Sequence, residues 1–173
     1  VGVVGCVLLM YAGGALALYG PVFAILLPVV MIAAGASDGI AAAARLRADI
    51  VLPRRRGLLV AAIAAFGVLC TGLIYLGVMT PDAINYDAAW YHAVIPQEYA
   101  RQGKLVAMPG NYSMAVPQLH GMVHTWGFCV PGLDMPRRWM LLLHNEFGLF
   151  VWTLVAVLAA VRRLIDDQRV RGA

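Results

Sequence analysis

Chemistry in this chain is best sought in the segment Thr80-Pro81-Asp82-Ala83-Ile84-Asn85-Tyr86-Asp87-Ala88-Ala89-Trp90-Tyr91-His92. A carboxylate held against a hydroxyl is a general base, and Asp87 is followed by a phenol and an imidazole, Tyr91 and His92, that could steer it. If the stretch is helical, Asp87, Tyr91 and Glu98 stand at i, i+4 and i+11 and share one face. Asp is equally a favoured helix N-cap, a duty that asks only for free backbone amides. Spacing alone leaves both roles open.

Histidines supply a second constellation. His120 and His124 lie at i and i+4, which brings two imidazoles to one helical face. With His92 and His144 they could hold a metal ion, or ligate a haem near a membrane surface. No acid stands between them as in the helix motif of zinc proteases, and no Cys-X-X-Cys-His run attaches a haem. A pair that faces water or packs at an interface has the same spacing. No metal is therefore assigned, and His120 with His124 stand as the alternative reading. Cys6 and Cys70 fall in apolar runs and Cys129 has no evident mate, so the three cysteines make no disulfide framework.

The elements that must position these residues are membrane helices. Hydrophobic residues make up 62% of the 173 and charged residues 13%, with a mean hydropathy of +0.79. Soluble domains are about a quarter charged, and the apolar residues here come in runs long enough to need lipid as their solvent. The net charge of +4 owes most to two clusters, Arg45, Arg47, Arg54, Arg55 and Arg56, then Arg162, Arg163, Arg169 and Arg171. Each abuts a long apolar run, as cytoplasmic loops do under the positive-inside rule. No basic stripe with interleaved aromatics appears, which excludes nucleic acid as a partner.

The pattern predicts an all-α integral membrane protein with about four transmembrane helices and a long extracytoplasmic loop. Residues 1–44 hold two spans, since one helix of that length, at about 1.5 Å per residue, overshoots a hydrocarbon core of roughly 30 Å. The break falls at Gly20-Pro21, giving spans near 1–19 and 22–44. Asp38, toward the end of the second, is a candidate intramembrane acid but sits where solvent reaches. A basic cytoplasmic loop at 45–56 leads to a span at 57–79, closed by Pro81. The loop at 80–138 carries two interfacial helices, about 87–102, ending at Gly103 and bent or shortened by Pro96, and 117–129. A last span at 139–161, with His144 and Glu146 as its strongly polar members, runs into a basic cytoplasmic tail at 162–173. The chain opens inside an apolar run and reads as a fragment.

The stretch NYDAAWYHAVIPQEYARQGKLVAMPGNYSMAVPQLHGMVHTWGF resembles the first extracytoplasmic loop of GT-C-type membrane glycosyltransferases, the bacterial family of lipopolysaccharide-core transferases and protein O-mannosyltransferase relatives. The matching features are Asp87, Trp90-Tyr91-His92, Gly103-Lys104, Pro109, Asn111-Tyr112 and Pro117-Gln118-Leu119. The following RRWMLLLHNEFGLFVWTLVAVLAAVRRL is similar to the family's next span, so the likeness covers about residues 80–165. It implies a polyprenyl-phosphate-linked sugar as donor, an acceptor outside the bacterial inner membrane, and Asp87 as the base, with Tyr91 and His92 as helpers. Ala88 stands where many relatives have a second acid, and Gln118 where many have proline.

A polyprenyl-phosphate leaving group needs cationic help as negative charge develops on it. The extracytoplasmic cations are Arg101, Lys104, Arg137 and Arg138; with Glu98 they complete the expected substrate-binding set. Arg137 and Arg138 could equally snorkel as helix anchors. A divalent ion is left open as cofactor, and membrane lipid and a membrane protein are the other partners considered. The competing readings are a non-enzymatic subunit or transporter fragment, and the histidine-based metal or haem protein. Cysteines introduced between 80 and 138 should react with a membrane-impermeant thiol reagent added outside intact cells. Labelling of that stretch only after the cytosol is opened would overturn the topology.

Overall fold

The computed structural model describes residues 2–49, 57–80, 91–111 and 118–171, with backbone alone for 42, 43, 45–49, 162 and 165–171. Among these residues the protein is all-helical: α1 Val3–Ala15, α2 Pro21–Asp49, α3 Leu58–Val78, α4 Val94–Gln102, α5 Leu119–Cys129 and α6 Met135–Arg171. Three stretches are long and apolar enough to cross a membrane, Pro21–Ala41, Leu58–Val78 and Met135–Val161. α1 is apolar too, but its 13 residues reach about 20 Å at 1.5 Å per residue, short of a hydrocarbon core. Val4 and Leu8 on the outer side of α1 are exposed, as are Phe66 and Leu76 of α3 and Trp152 and Leu158 of α6, whereas Val7 and Met10 of α1 are buried. Apolar faces of this kind need lipid or more protein against them.

Local chemistry sets the helix ends. α1 closes with Leu18 N–H donating to the Gly13 carbonyl at 2.8 Å and Ala17 N–H to the Gly14 carbonyl at 3.3 Å. This double closure needs a left-handed residue, supplied by Ala17 at φ 56°. Pro21 then opens α2, a position whose missing N–H helix geometry does not need. The break expected at Gly20-Pro21 is there, with the first helix shorter than the span drawn for it. α4 ends at Gly103, φ 70°, whose left-handed turn lets Lys104 N–H reach the Tyr99 carbonyl. Pro96 shortens α4 from the front, falling within its first turn, where no helical N–H is lost. Asp134 precedes α6, and its carboxylate accepts the Arg137 amide at 3.0 Å.

The centre of the fold is α5, which packs against α1, α2, α4 and α6. Gly121, Met122, His124, Thr125, Gly127, Phe128 and Cys129 are buried, so α5 lacks the broad polar face of a helix lying along a membrane surface. It runs antiparallel to the start of α6. A side chain on Gly127 would meet Leu142 Cδ1 at 2.8 Å, so glycine lets the two helices close. Farther on, Phe128 and Trp139 meet edge to face at 6.1 Å. Ile95 and Tyr99 of α4 join Met10, Tyr19 and Met122 in the main core. Tyr19 N–H donates to the Gly103 carbonyl and Leu105 N–H to the Gly14 carbonyl, fastening the exit of α4 to the α1–α2 hairpin. α3 stands outside this core and touches α6 through Tyr75, which bonds His144 at 3.1 Å and meets Phe147 edge to face.

One contact explains how a proline is tolerated inside α2. Pro28 has no N–H, so the carbonyl four residues earlier, Ala24, loses its helical donor. Trp126 of α5 supplies the replacement: its indole Nε1–H donates to the Ala24 oxygen at 2.8 Å. A freed carbonyl in an apolar setting is costly unless a neighbouring helix meets it. Trp126→Phe should therefore destabilise the protein by about 1 kcal/mol in detergent unfolding, and much less beside Pro28→Ala, which returns a donor to Ala24. Equal losses in the two backgrounds would show that the two residues are not coupled.

Candidate functional site

Asp87 and Trp90 lie outside the described residues, as do Tyr112 and Pro117. Tyr91 and His92 are half-buried, with ring centroids 4.1 Å apart. α4 begins at Val94, so no continuous α-helix carries Tyr91 and Glu98 on one face. Glu98 turns instead to its own helix. It accepts from Arg101 Nε at 2.7 Å and Nη2 at 2.6 Å, and from Gln102 Nε2 at 2.8 Å. These bonds from Arg101 and then Gln102 hold its carboxyl down at about 2, opposed by desolvation.

Of the four expected cations, the structure brings two together. Arg101 of α4 and Arg138 of α6 line one groove of about 370 Å³ with Gln97, Ala100, Phe128 and Met135. Arg138 is held in place by donation from Nε to the Leu133 carbonyl at 3.0 Å. Arg137 turns to Asp134 at 3.9 Å, and Lys104 is exposed; neither lines this groove. Cys129 is a buried thiol whose pKa burial pushes up to about 11, which makes it a poor nucleophile.

The second meeting point is between α5 and α6. The i, i+4 spacing puts His120 and His124 on one face with ring centroids 4.5 Å apart, and the antiparallel register brings Glu146 opposite them. Glu146 Oε1 lies 2.9 Å from His120 Nε2 and 2.8 Å from His124 Nε2. One ligand-type atom from each of the three residues falls within 4.8 Å of the others. The hydrogen bond to Glu146 raises the His120 pKa above its ordinary value, opposed by burial. His124 is the enclosed member, with 7% of its side chain exposed. Its Nδ1 lies 3.1 Å from the His92 carbonyl. A carbonyl only accepts, so Nδ1 carries the proton there. Nε2 is close to Glu146 in distance, yet its direction makes no hydrogen bond and it is buried without another partner.

Of the four histidines considered together in the sequence, three are near this cluster. His92 contributes its carbonyl, and its ring sits 6.3 Å from that of His120. His144 bonds Tyr75 and the Met140 carbonyl instead. Glu146 is the participant that sequence reasoning missed. The signal available was an acid within an apolar span, where ionisable groups are costly and rarely idle. Comparison with protein-family models, with curated proteins and with solved structures found no match to the chain.

A carboxyl pKa depressed in the folded state favours folding above the ordinary carboxylate range, and that contribution is lost as pH falls toward the folded value. The Glu98 clasp should therefore survive until about pH 2. Carbon-13 NMR of labelled glutamate should show Glu98 titrating there, and returning toward the ordinary range in Arg101→Ala. A wild-type Glu98 that titrates like a free side chain would sink this assignment.

Proposed function

We propose that the chain is the first part of a multi-pass bacterial inner-membrane glycosyltransferase of the GT-C type, moving a sugar from a polyprenyl-phosphate donor to an extracytoplasmic acceptor. The observation that carries this reading beyond the sequence resemblance is the groove shared by Arg101 and Arg138 at the mouth of the α6 span. Two guanidinium groups from separate helices, beside an apolar stretch of membrane length, suit a phosphate attached to a lipid. On this reading α1 and α2 enter the membrane as a hairpin, α3 and α6 complete four membrane elements, and residues 80–138 face outward.

The step is a displacement at the sugar's anomeric carbon. Asp87 takes the proton of the acceptor hydroxyl as the acceptor oxygen bonds to that carbon, and the bond from carbon to phosphate oxygen breaks. The electron pair leaves with the polyprenyl phosphate, whose growing negative charge Arg101 and Arg138 stabilise. Tyr91 and His92 orient the acid.

Asp87→Asn keeps the size of the side chain and its capping capacity but cannot accept the proton. In proteoliposomes with lipid-linked sugar, the full-length variant should lose about 10²-fold or more in turnover. Near-normal transfer by a folded Asp87→Asn protein would reject the reading. Arg101→Ala and Arg138→Ala should each slow transfer as well, whereas Arg137→Ala, outside the groove, should not.

A further inference from the structure

We infer that His120, His124 and Glu146 form a binding site for one divalent transition-metal ion of the zinc type, clasped between α5 and α6. The donor set is two imidazoles and a carboxylate, which leaves a fourth tetrahedral position for water or substrate. Ligand bonds of roughly 2.0–2.2 Å place tetrahedral donors roughly 3.4 Å apart. The present approaches of 2.8 and 2.9 Å need to open by about half an ångström to admit an ion.

The stronger argument comes from His124 itself. Its Nδ1 proton is committed to the His92 carbonyl, which leaves Nε2, 2.8 Å from Glu146 Oε1, as the ring's free ligand atom. The Nε2 atom is sealed from water and has no hydrogen bond, so it is an unmet polar atom 2.8 Å from a carboxylate oxygen. A cation bound by both atoms would satisfy Nε2 and Glu146 at once, with His120 as the third ligand. Metal-bound histidines characteristically donate their other ring nitrogen to a carbonyl or carboxylate, as His124 does to His92. The flank of the site is apolar, formed by Val7, Leu119, Val123 and Leu149, which limits competition from water. The rings of His120 and His124, tilted to each other with centroids 4.5 Å apart on one helix, leave no slot for a porphyrin between them.

Metal binding by this cluster is open to direct titration. The tag-free membrane protein, purified in detergent and stripped with EDTA, is titrated with Zn²⁺ by calorimetry, with Mg²⁺ as the control ion. We expect one equivalent of Zn²⁺ at micromolar affinity or better, no competition from Mg²⁺, and a raised Tm on binding. Co²⁺ in place of Zn²⁺ should give the visible absorption of a tetrahedral site. Glu146→Gln should weaken Zn²⁺ binding at least tenfold. His120→Gln, on the facing helix, serves where Glu146→Gln impairs folding, and should do the same. Binding weaker than about 100 µM by the folded wild-type protein would overturn the site, as would Zn²⁺ binding that both variants leave unchanged. None of these readouts depends on sugar transfer, so the metal site and the transferase proposal stand or fall separately.

Discussion

Everything in this fold turns on burying α5, a helix with two histidines, a threonine and a tryptophan, among largely apolar helices. An unmet polar atom in such surroundings costs free energy comparable to a lost hydrogen bond or more, so each one dictates a neighbour. Trp126 is met by the Ala24 carbonyl of α2. Thr125 returns its hydroxyl to the Gly121 carbonyl one turn back, which satisfies it within the helix. His124 donates from Nδ1 to the His92 carbonyl, while its Nε2 stays without a hydrogen bond beside Glu146. Helix α5 is thereby fixed in rotation and height against two other parts of the chain, and the positions of both candidate sites follow.

The pairing of Pro28 with Trp126 shows how one irregularity supports another. A proline in mid-helix alone exposes a carbonyl, and a tryptophan in an apolar core alone strands an N–H. Together each removes the other's defect, through residues far apart in sequence. The arrangement also explains why α2 need not be severed at Pro28: the bond the proline removes is replaced from outside the helix.

Most of the helical framework was legible in the sequence because it rests on local rules. The Gly20-Pro21 break, the Gly103 cap, the span from 57 to 79 and the end of α5 near residue 129 all follow from backbone preference and apolar run length. The placement of α5 was harder to read. A run such as Leu119–Cys129 looks alike whether it lies on a lipid surface or fills a core, because composition does not say what will pack around it. Glu146 was missed for the same reason. Its partnership with His120 and His124 depends on the antiparallel register of α5 and α6, which the Gly127–Leu142 approach sets and no spacing rule encodes. The Arg101 and Arg138 groove is of this kind too, while Asp87, on which the catalytic reading leans, lies outside the described residues.

The two sites are not independent in space, since α5 borders both. Phe128, near its C-terminal end, lines the arginine groove, and His120, near its N-terminal end, meets Glu146. Eight residues of helix separate them by roughly 12 Å. On the α6 side the same order holds: Arg138 stands at the opening of the apolar stretch and Glu146 two turns farther in. A cationic groove at the rim and a histidine–carboxylate cluster deeper along the same helix pair therefore sit at different depths of one scaffold. Moving α5 lengthwise would shift both, and the Trp126 bond to α2 together with the His124 bond to the His92 carbonyl opposes such a shift. A rigid helix with polar anchors along its length is thus what keeps the arginine groove and the histidine–carboxylate cluster at a set separation, whatever each is used for.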